Sequence, residues 1–276
     1  MIPAASDDRF LNLPGARIRY RDEGQGATVL LIHGWTLDLE IWEPQVQALR
    51  AAFRIIRFDR RGYGRSSGEP SIDQDVRDLG AILKHFELER IALVGMSQAS
   101  RAAVAYACDH PAQVSCLVLD GPPEFNRAAT GANLSLAPFR QLVRRHGLSA
   151  FREQWLRHPL MQLRSHDAGA SELLRSVVDH YPGHDLSEAA VDLPARDLWP
   201  ALPALTVPAL VMTGEHDLPE RVRAADALAQ QLGAGARAVI PGSGHLDSLD
   251  NPDLYNRALV SFLTRHADVD RQSTAI

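Results

Sequence analysis

The sequence predicts an α/β protein: a mostly parallel, doubly wound sheet flanked by helices, with an inserted helical cap. Three observations carry this. Over the first 120 residues short apolar runs alternate with helical patterns. The alternation then lapses for roughly 80 residues and afterwards resumes. Hydrophobic residues make up 45% of the 276 and charged residues 23%, the balance of a globular chain with a sizeable core.

Taken in order, ARIRYRDEG and ATVLLIHG read as strands, the second too apolar to face water on either side. EPQVQALRAA reads as a helix and FRIIRFD as a strand. In residues 73–86, Val76, Leu79, Leu83 and Phe86 mark a helix's buried stripe. IALVGMS is a strand, QASRAAVAYACDH a helix rich in small residues, and VSCLVLD a strand. After Asp120 come amphipathic stretches broken by proline and glycine, LAPFRQLVRRHGLSAFREQWL and SELLRSVVDHY, with no convincing strand. VPALVMTGEHD, RVRAADALAQQL, ARAVIPGSGH and NPDLYNRALVSFLTRH then restore strand, helix, strand, helix. Strands separated by helices imply right-handed crossovers and a parallel sheet. The expected division is a core of residues 1–121 and 200–276 with a helical cap over 122–199, ending in a frayed tail at 267–276.

Charge and composition exclude several classes. The net charge of −5 speaks against nucleic acid as a partner. No apolar run is long enough to cross a bilayer, and MIPAASDDRF lacks the features of a secretory signal, so the cytoplasm is the expected compartment and no membrane is involved. Two cysteines, Cys108 and Cys116, are too few for a disulfide framework or a thiolate zinc site. Lys84 is the single lysine among 29 basic residues, and it lies on the flank of a helix, so Schiff-base chemistry has no obvious residue. The cap is electrically lopsided. Residues 127–164 hold seven arginines against Glu153, and residues 165–199 hold seven acids against Arg175 and Arg196. Either the halves neutralise each other or face water, or the arginines form a rim that draws in anions.

Chemistry concentrates at the carboxyl ends of the strands. Gly95-Met96-Ser97-Gln98-Ala99 follows an apolar strand and opens a helix, the setting of a nucleophile elbow. Such a turn pushes the central serine above the sheet and needs small residues two positions away on each side. Leu30 to Trp35 places His33-Gly34 after an earlier strand, so the Trp35 and Gln98 N–H groups are candidates to hold an oxyanion. His33 itself reads as structural. Of eleven histidines, His245 stands out in Gly242-Ser243-Gly244-His245, directly after the last strand. Asp217, in Thr213-Gly214-Glu215-His216-Asp217, is the candidate acid, with Asp120 and Glu215 as rivals. The order Ser97, Asp217, His245 is that expected for such a sheet. Gly62-Tyr63-Gly64 with Gly68 has the wrong spacing for a dinucleotide loop. Pro182-Gly183 forbids the helix that would align His180 and His184 on a metal, and His216 points away from its neighbour Asp217.

Across residues 10–266 the sequence resembles the α/β-hydrolase fold superfamily, through HGW, DRRGYGRSS, GMSQA, GEHD and GSGHLDSLDNPD. It departs at Ala99, usually glycine, and at Asp250, often glutamate. The resemblance implies Ser97 as nucleophile, His245 as base, Asp217 as acid, and Trp35 and Gln98 as the oxyanion hole. It implies no cofactor and no metal. The expected activity is hydrolysis of a small ester, thioester or lactone through an acyl-enzyme, on a small-molecule substrate. Carbon–carbon bond hydrolysis, perhydrolysis, cofactor-free oxygenation and a hydrolase-like ligand receptor are the alternatives. Trp155, Phe139, Leu160 and Trp199 are candidates for the pocket's apolar lining or for the cap's own core.

Overall fold

The computed structural model describes residues 8–125, 134–187 and 196–267. Eight strands form one sheet in the order β1-β2-β4-β3-β5-β6-β7-β8. β1 (Arg9–Leu13) and β2 (Ala16–Gly24) form an antiparallel hairpin, and β2 also runs antiparallel to β4 (Arg54–Phe58). The remaining pairings are all parallel, joining β3 (Thr28–Ile32), β4, β5 (Ile91–Met96), β6 (Val114–Asp120), β7 (Ala209–Gly214) and β8 (Gly235–Ile240).

Period-two alternation sorts the side chains between two faces. Val29, Leu31, Ile55, Val94 and Val118 pack with α1 (Glu43–Leu49) and α8 (Pro252–His266). Leu30, Ile32, Ile56, Leu93 and Leu119 pack with α2 (Ile72–His85), α3 (Ala99–Asp109) and α6 (Pro219–Gln231). Each fully buried side chain of this size stabilises the fold by about 1.5–3 kcal/mol. The chain leaves β3 for β4 on one side and reaches β5 on the other. That reversal opens a crevice beyond the carboxyl ends of β3 and β5, where ligands bind in open α/β sheets.

Between β6 and β7, in the segment expected to form the cap, lie the helices α4 (Ala137–Leu156) and α5 (Ala168–Asp179). α4 is kinked at Gly147 (φ 81°), so the single amphipathic stretch expected there is two helical pieces. Residues 126–133 and 188–195, part of the expected cap, and 268–276 of the expected tail lie outside the described residues. No helix among those described is long and apolar enough to cross a membrane.

Three expectations need correction. β1 was not expected: RFLNL is a short, part-exposed edge strand whose apolar signal is weak. α2 buries Asp75 and Asp78 beside Leu79, Ile82 and Leu83, whereas Val76 and Phe86 are only half-buried. Arg60 and Arg61 explain this, pairing with Asp75 and Asp78 at 2.6 Å each. Trp199 packs on the sheet face opposite the cap, so it lines no pocket with Trp155.

Candidate active site

Ser97 follows β5 directly and adopts φ 50°, a left-handed conformation costing an L-residue roughly 1–2 kcal/mol. Its N–H donates to the Asp120 carbonyl at 2.6 Å, and its carbonyl accepts the Ser100 N–H at 3.0 Å. These bonds lock the strained residue between β6 and the first turn of α3. Gly95 is required two residues earlier, because a Cβ there would lie 3.0 Å from the Ala99 carbonyl oxygen. Ala99 is itself fully buried, so its methyl group fits where glycine is usual.

His245 and Asp217 come from loops pressed together after β8 and β7. A Cβ on Gly214 would fall 2.0 Å from the Gly244 carbonyl oxygen, so only glycine lets the two loops touch. The His216 N–H donates to the Ser243 carbonyl at 2.8 Å across the same seam. His245 Nε2 then lies 3.2 Å from Ser97 Oγ, and its Nδ1 lies 2.8 Å from Asp217 Oδ2. The other Asp217 oxygen accepts the Leu218 N–H at 2.7 Å. Both side chains are almost completely buried. In this chain of contacts the imidazole can take the serine proton while Asp217 fixes the tautomer.

The rival acids sit elsewhere. Glu215 is exposed and caps the next loop by accepting the Gly242 N–H at 2.9 Å. Asp120 lies buried beside Asp247, the first residue of α7 (Asp247–Asp250), and accepts the Tyr255 hydroxyl at 3.3 Å. Asp120 Oδ1 meets no N–H or hydroxyl donor among the described residues, and the Asp247 carboxyl faces Asp120 and the Ser248 N–H. Two carboxyls so placed hold a proton between them. Burial pushes Asp120 up to about 6, despite the opposing pull of Asp247's hydrogen bond and of His245, and raises Asp247 well above the carboxylate range.

Trp35 and Gln98 both border the cavity beside Ser97, and neither backbone N–H has an acceptor among the described residues. Gly34 packs here against Ser97, where a Cβ would come 3.4 Å from the serine Cβ. His33 Nε2 accepts the Arg60 N–H at 2.8 Å and its Nδ1 lies 2.8 Å from the Gly34 carbonyl oxygen. Burial and the Arg60 charge push this imidazole down to about 3, so it is a neutral brace under the loop. Arg60 also donates to the Gln98 side-chain oxygen through both terminal nitrogens at 3.1 Å. The DRRGYGRSS segment therefore braces the serine from behind.

The cap holds the same loop from the front. Trp35 Nε1 donates to Asp185 at 2.5 Å, Trp155 Nε1 donates to Thr36 Oγ1 at 2.7 Å, and His180 Nδ1 lies 2.8 Å from Asp38. Asp185 also accepts the Tyr63 hydroxyl at 3.2 Å and that of Tyr181. Asp38, Glu40 and His180 are grouped closely enough for a metal, but their atoms are already engaged. Glu40 Oε1 accepts from Arg19 and Arg21, and Asp38 accepts the Glu40 N–H and faces His180. His184 makes no part of this group, and His216 is an exposed neighbour of Glu215.

A cavity of about 430 Å³ lies over Ser97, floored by Gly34, Met96 and His245 and roofed by Trp155, Leu160 and Met161. Phe139 does not line it; its ring packs against Trp35 and Trp155 at 5.8 and 5.5 Å. Two cap arginines of the suspected rim are satisfied internally, Arg140 by the Asp185 carbonyl and Arg152 by that of Tyr181. Arg127 lies outside the described residues. The guanidiniums that do border the cavity, Arg101 and Arg221, belong to core helices and were missed. Their signal was readable: each follows Ser97 or Asp217 by four residues, at or near the start of a helix.

A family model for the alpha/beta hydrolase fold matches residues 27–252. The chain is 30% identical over 247 residues to a pimeloyl-[acyl-carrier protein] methyl ester esterase of Edwardsiella ictaluri, covering 85% of this chain and 92% of that protein. It is 28% identical over 287 residues to a 2-hydroxy-6-oxononadienedioate/2-hydroxy-6-oxononatrienedioate hydrolase of Paraburkholderia xenovorans, covering 95% and 97%. Among solved structures, a thermophilic esterase from Thermogutta terrifontis superposes with a TM-score of 0.79 at 25% identity, covering 94% of this chain and 99% of that one.

Proposed function

The chain belongs to the α/β-hydrolase family, and from that premise we propose that it is a serine hydrolase cleaving a small carboxylic ester, thioester or lactone. The observation that carries the reading is the contact chain from Ser97 through His245 to Asp217 beneath a cavity of about 430 Å³. Ser97 Oγ attacks the carbonyl as His245 Nε2 takes its proton. The developing oxyanion accepts the Trp35 and Gln98 N–H groups, the latter at the start of α3, where the helix dipole favours negative charge. The tetrahedral intermediate collapses, His245 returns the proton to the leaving oxygen or sulfur, and the acyl group remains on Ser97. A water, deprotonated by the same imidazole, then releases the acid.

Treatment with a fluorophosphonate should leave one adduct, on the peptide carrying Ser97. Ser97→Ala should lose several orders of magnitude in kcat on p-nitrophenyl butyrate, since binding and an oxyanion hole alone retain only ~10³–10⁴-fold over water. An adduct on another serine, or an undiminished Ser97→Ala enzyme, overturns the proposal.

A further inference from the structure

Arg221 has an unmet donor. The residue is only 6% exposed, it borders the cavity over Ser97, and its Nη1 has no hydrogen-bond partner among the described residues. Burying a guanidinium without an acceptor costs several kcal/mol, so proteins pair such groups or give them a ligand. The carboxylate whose charge acts on it most is Asp217, but both Asp217 oxygens are taken, one by His245 and one by the Leu218 N–H. Glu220, the adjacent residue of α6, also favours the charge but gives Nη1 no hydrogen bond. Among the described residues Arg221 Nη1 therefore has no acceptor.

Arg101 reaches the same cavity from α3, one turn beyond Ser97. One of its nitrogens donates to the Glu124 carbonyl, and its guanidinium lies 5.0 Å from the Phe125 ring centre, which holds it in place. A guanidinium carries five N–H donors, so most of Arg101's remain. Burial disfavours the charge of Arg101, and the charge of Arg221 adds to this against the opposing pull of Glu124 and Asp197. Two like charges are thus held together at a cavity otherwise lined by Trp35, Leu37, Leu134, Trp155, Leu160 and Met161. An anion between them would relieve both the repulsion and the missing acceptor.

We propose that Arg221 and Arg101 bind a carboxylate carried by the substrate in addition to its scissile carbonyl, so that the preferred substrates are half-esters or lactone acids. This rests on the hydrolase reading of Ser97 and names its substrate class. The guanidinium forks match a carboxylate in geometry as well as charge, and the apolar lining accommodates the chain joining carboxylate to carbonyl. Both arginines lie on core helices, so the selectivity is built into the same elements that position Ser97 and Asp217.

The test compares monomethyl succinate, glutarate and adipate with the uncharged methyl esters of equal chain length. The best of the three anions should exceed its neutral counterpart in kcat/KM by at least about tenfold, the worth of one charge-assisted hydrogen bond. Arg221→Met and Arg101→Met should each narrow that ratio about tenfold, while Arg221→Lys keeps part of it. A purely structural role would lower both ester classes together and leave the ratio fixed. Independently, millimolar adipate should raise the Tm of the wild-type protein where adipamide does not, and Arg221→Met should lose the shift. Neutral esters turned over with no preference for the anion and no adipate shift overturn this proposal and leave the hydrolase reading intact. No turnover of either class, with an adipate shift that Arg221→Met abolishes, overturns the hydrolase reading and supports the anion site.

Discussion

Two buried aspartates end up beside His245, and they behave in opposite ways. Asp217 sits three residues beyond β7, where its own loop supplies the Leu218 N–H to one oxygen and the loop after β8 brings the His245 imidazole to the other. Asp120 is the last residue of β6, hemmed in by the sheet, with only the Tyr255 hydroxyl and a second carboxyl for company. Burial is equal or deeper for Asp120. What separates the two settings is therefore the donors that reach each carboxyl: the Leu218 N–H and His245 at Asp217, and the Tyr255 hydroxyl at Asp120, where burial raises the pKa.

The comparison can be broken most directly by Asp217→Asn. The neutral amide cannot stabilise the imidazolium and favours the wrong tautomer, which has cost ~10⁴ in kcat in a serine protease. A loss of that order is expected, with the far-ultraviolet circular dichroism spectrum unchanged. A loss below tenfold would hand the role to Asp120.

Gly121 separates the two carboxylates and comes next. It has φ +52°, and a Cβ there would lie 2.7 Å from the His245 ring. Gly121→Ala should push the imidazole off line and lower kcat by about 10²-fold, as misplacement by ~1 Å does. Pre-steady-state release of p-nitrophenol should show acylation itself slowed.

Asp120→Asn should change kcat less than about tenfold but alter stability with pH. Because burial raises Asp120 to about 6, the folded chain holds a proton that the unfolded chain has released above the ordinary 3.8. Between those values native stability falls as pH rises, and above them the wild type carries the whole penalty. Asparagine does not titrate. The Tm of the variant relative to wild type should therefore climb between pH 4 and 7, as scanning calorimetry would record.

The smallest effect belongs to a third buried carboxylate, Asp38, which caps the short helical turn Leu39–Trp42 and whose partner can reach water. Its hydrogen bond raises His180 against a lesser burial effect, so the pair stabilises the fold below the histidine's ordinary 6.5 and that contribution fades as pH rises through the raised value. His180 is 30% exposed, so His180→Gln should cost about 1 kcal/mol or less. The Tm deficit should be larger at pH 6 than at pH 9.

Local pattern made much of this legible. Alternation and helical period are properties of neighbouring residues, and they gave the parallel strands and their helices. The loops bearing Ser97, His245 and Asp217 were readable because each follows an apolar strand with a glycine nearby. Partnership across the fold was not readable. Asp75 and Asp78 look like solvent-facing acids until Arg60 and Arg61 arrive from another segment. The seven arginines of residues 127–164 are visible as a local count, yet Arg140 and Arg152 hold carbonyl groups, whereas Arg221 Nη1, on a helix of the core, has no acceptor among the described residues.

The loop from Trp35 to Asp38 is gripped by Asp185, Trp155 and His180, all from the cap. For protein engineering this means that the lid is not an interchangeable part. A chimera that grafts a relative's cap onto this core would import a new binding wall but forfeit three ties on the segment bearing the Trp35 N–H. Transplanting specificity here requires moving Trp35, Thr36 and Asp38 together with the donor helices, as one inseparable cassette.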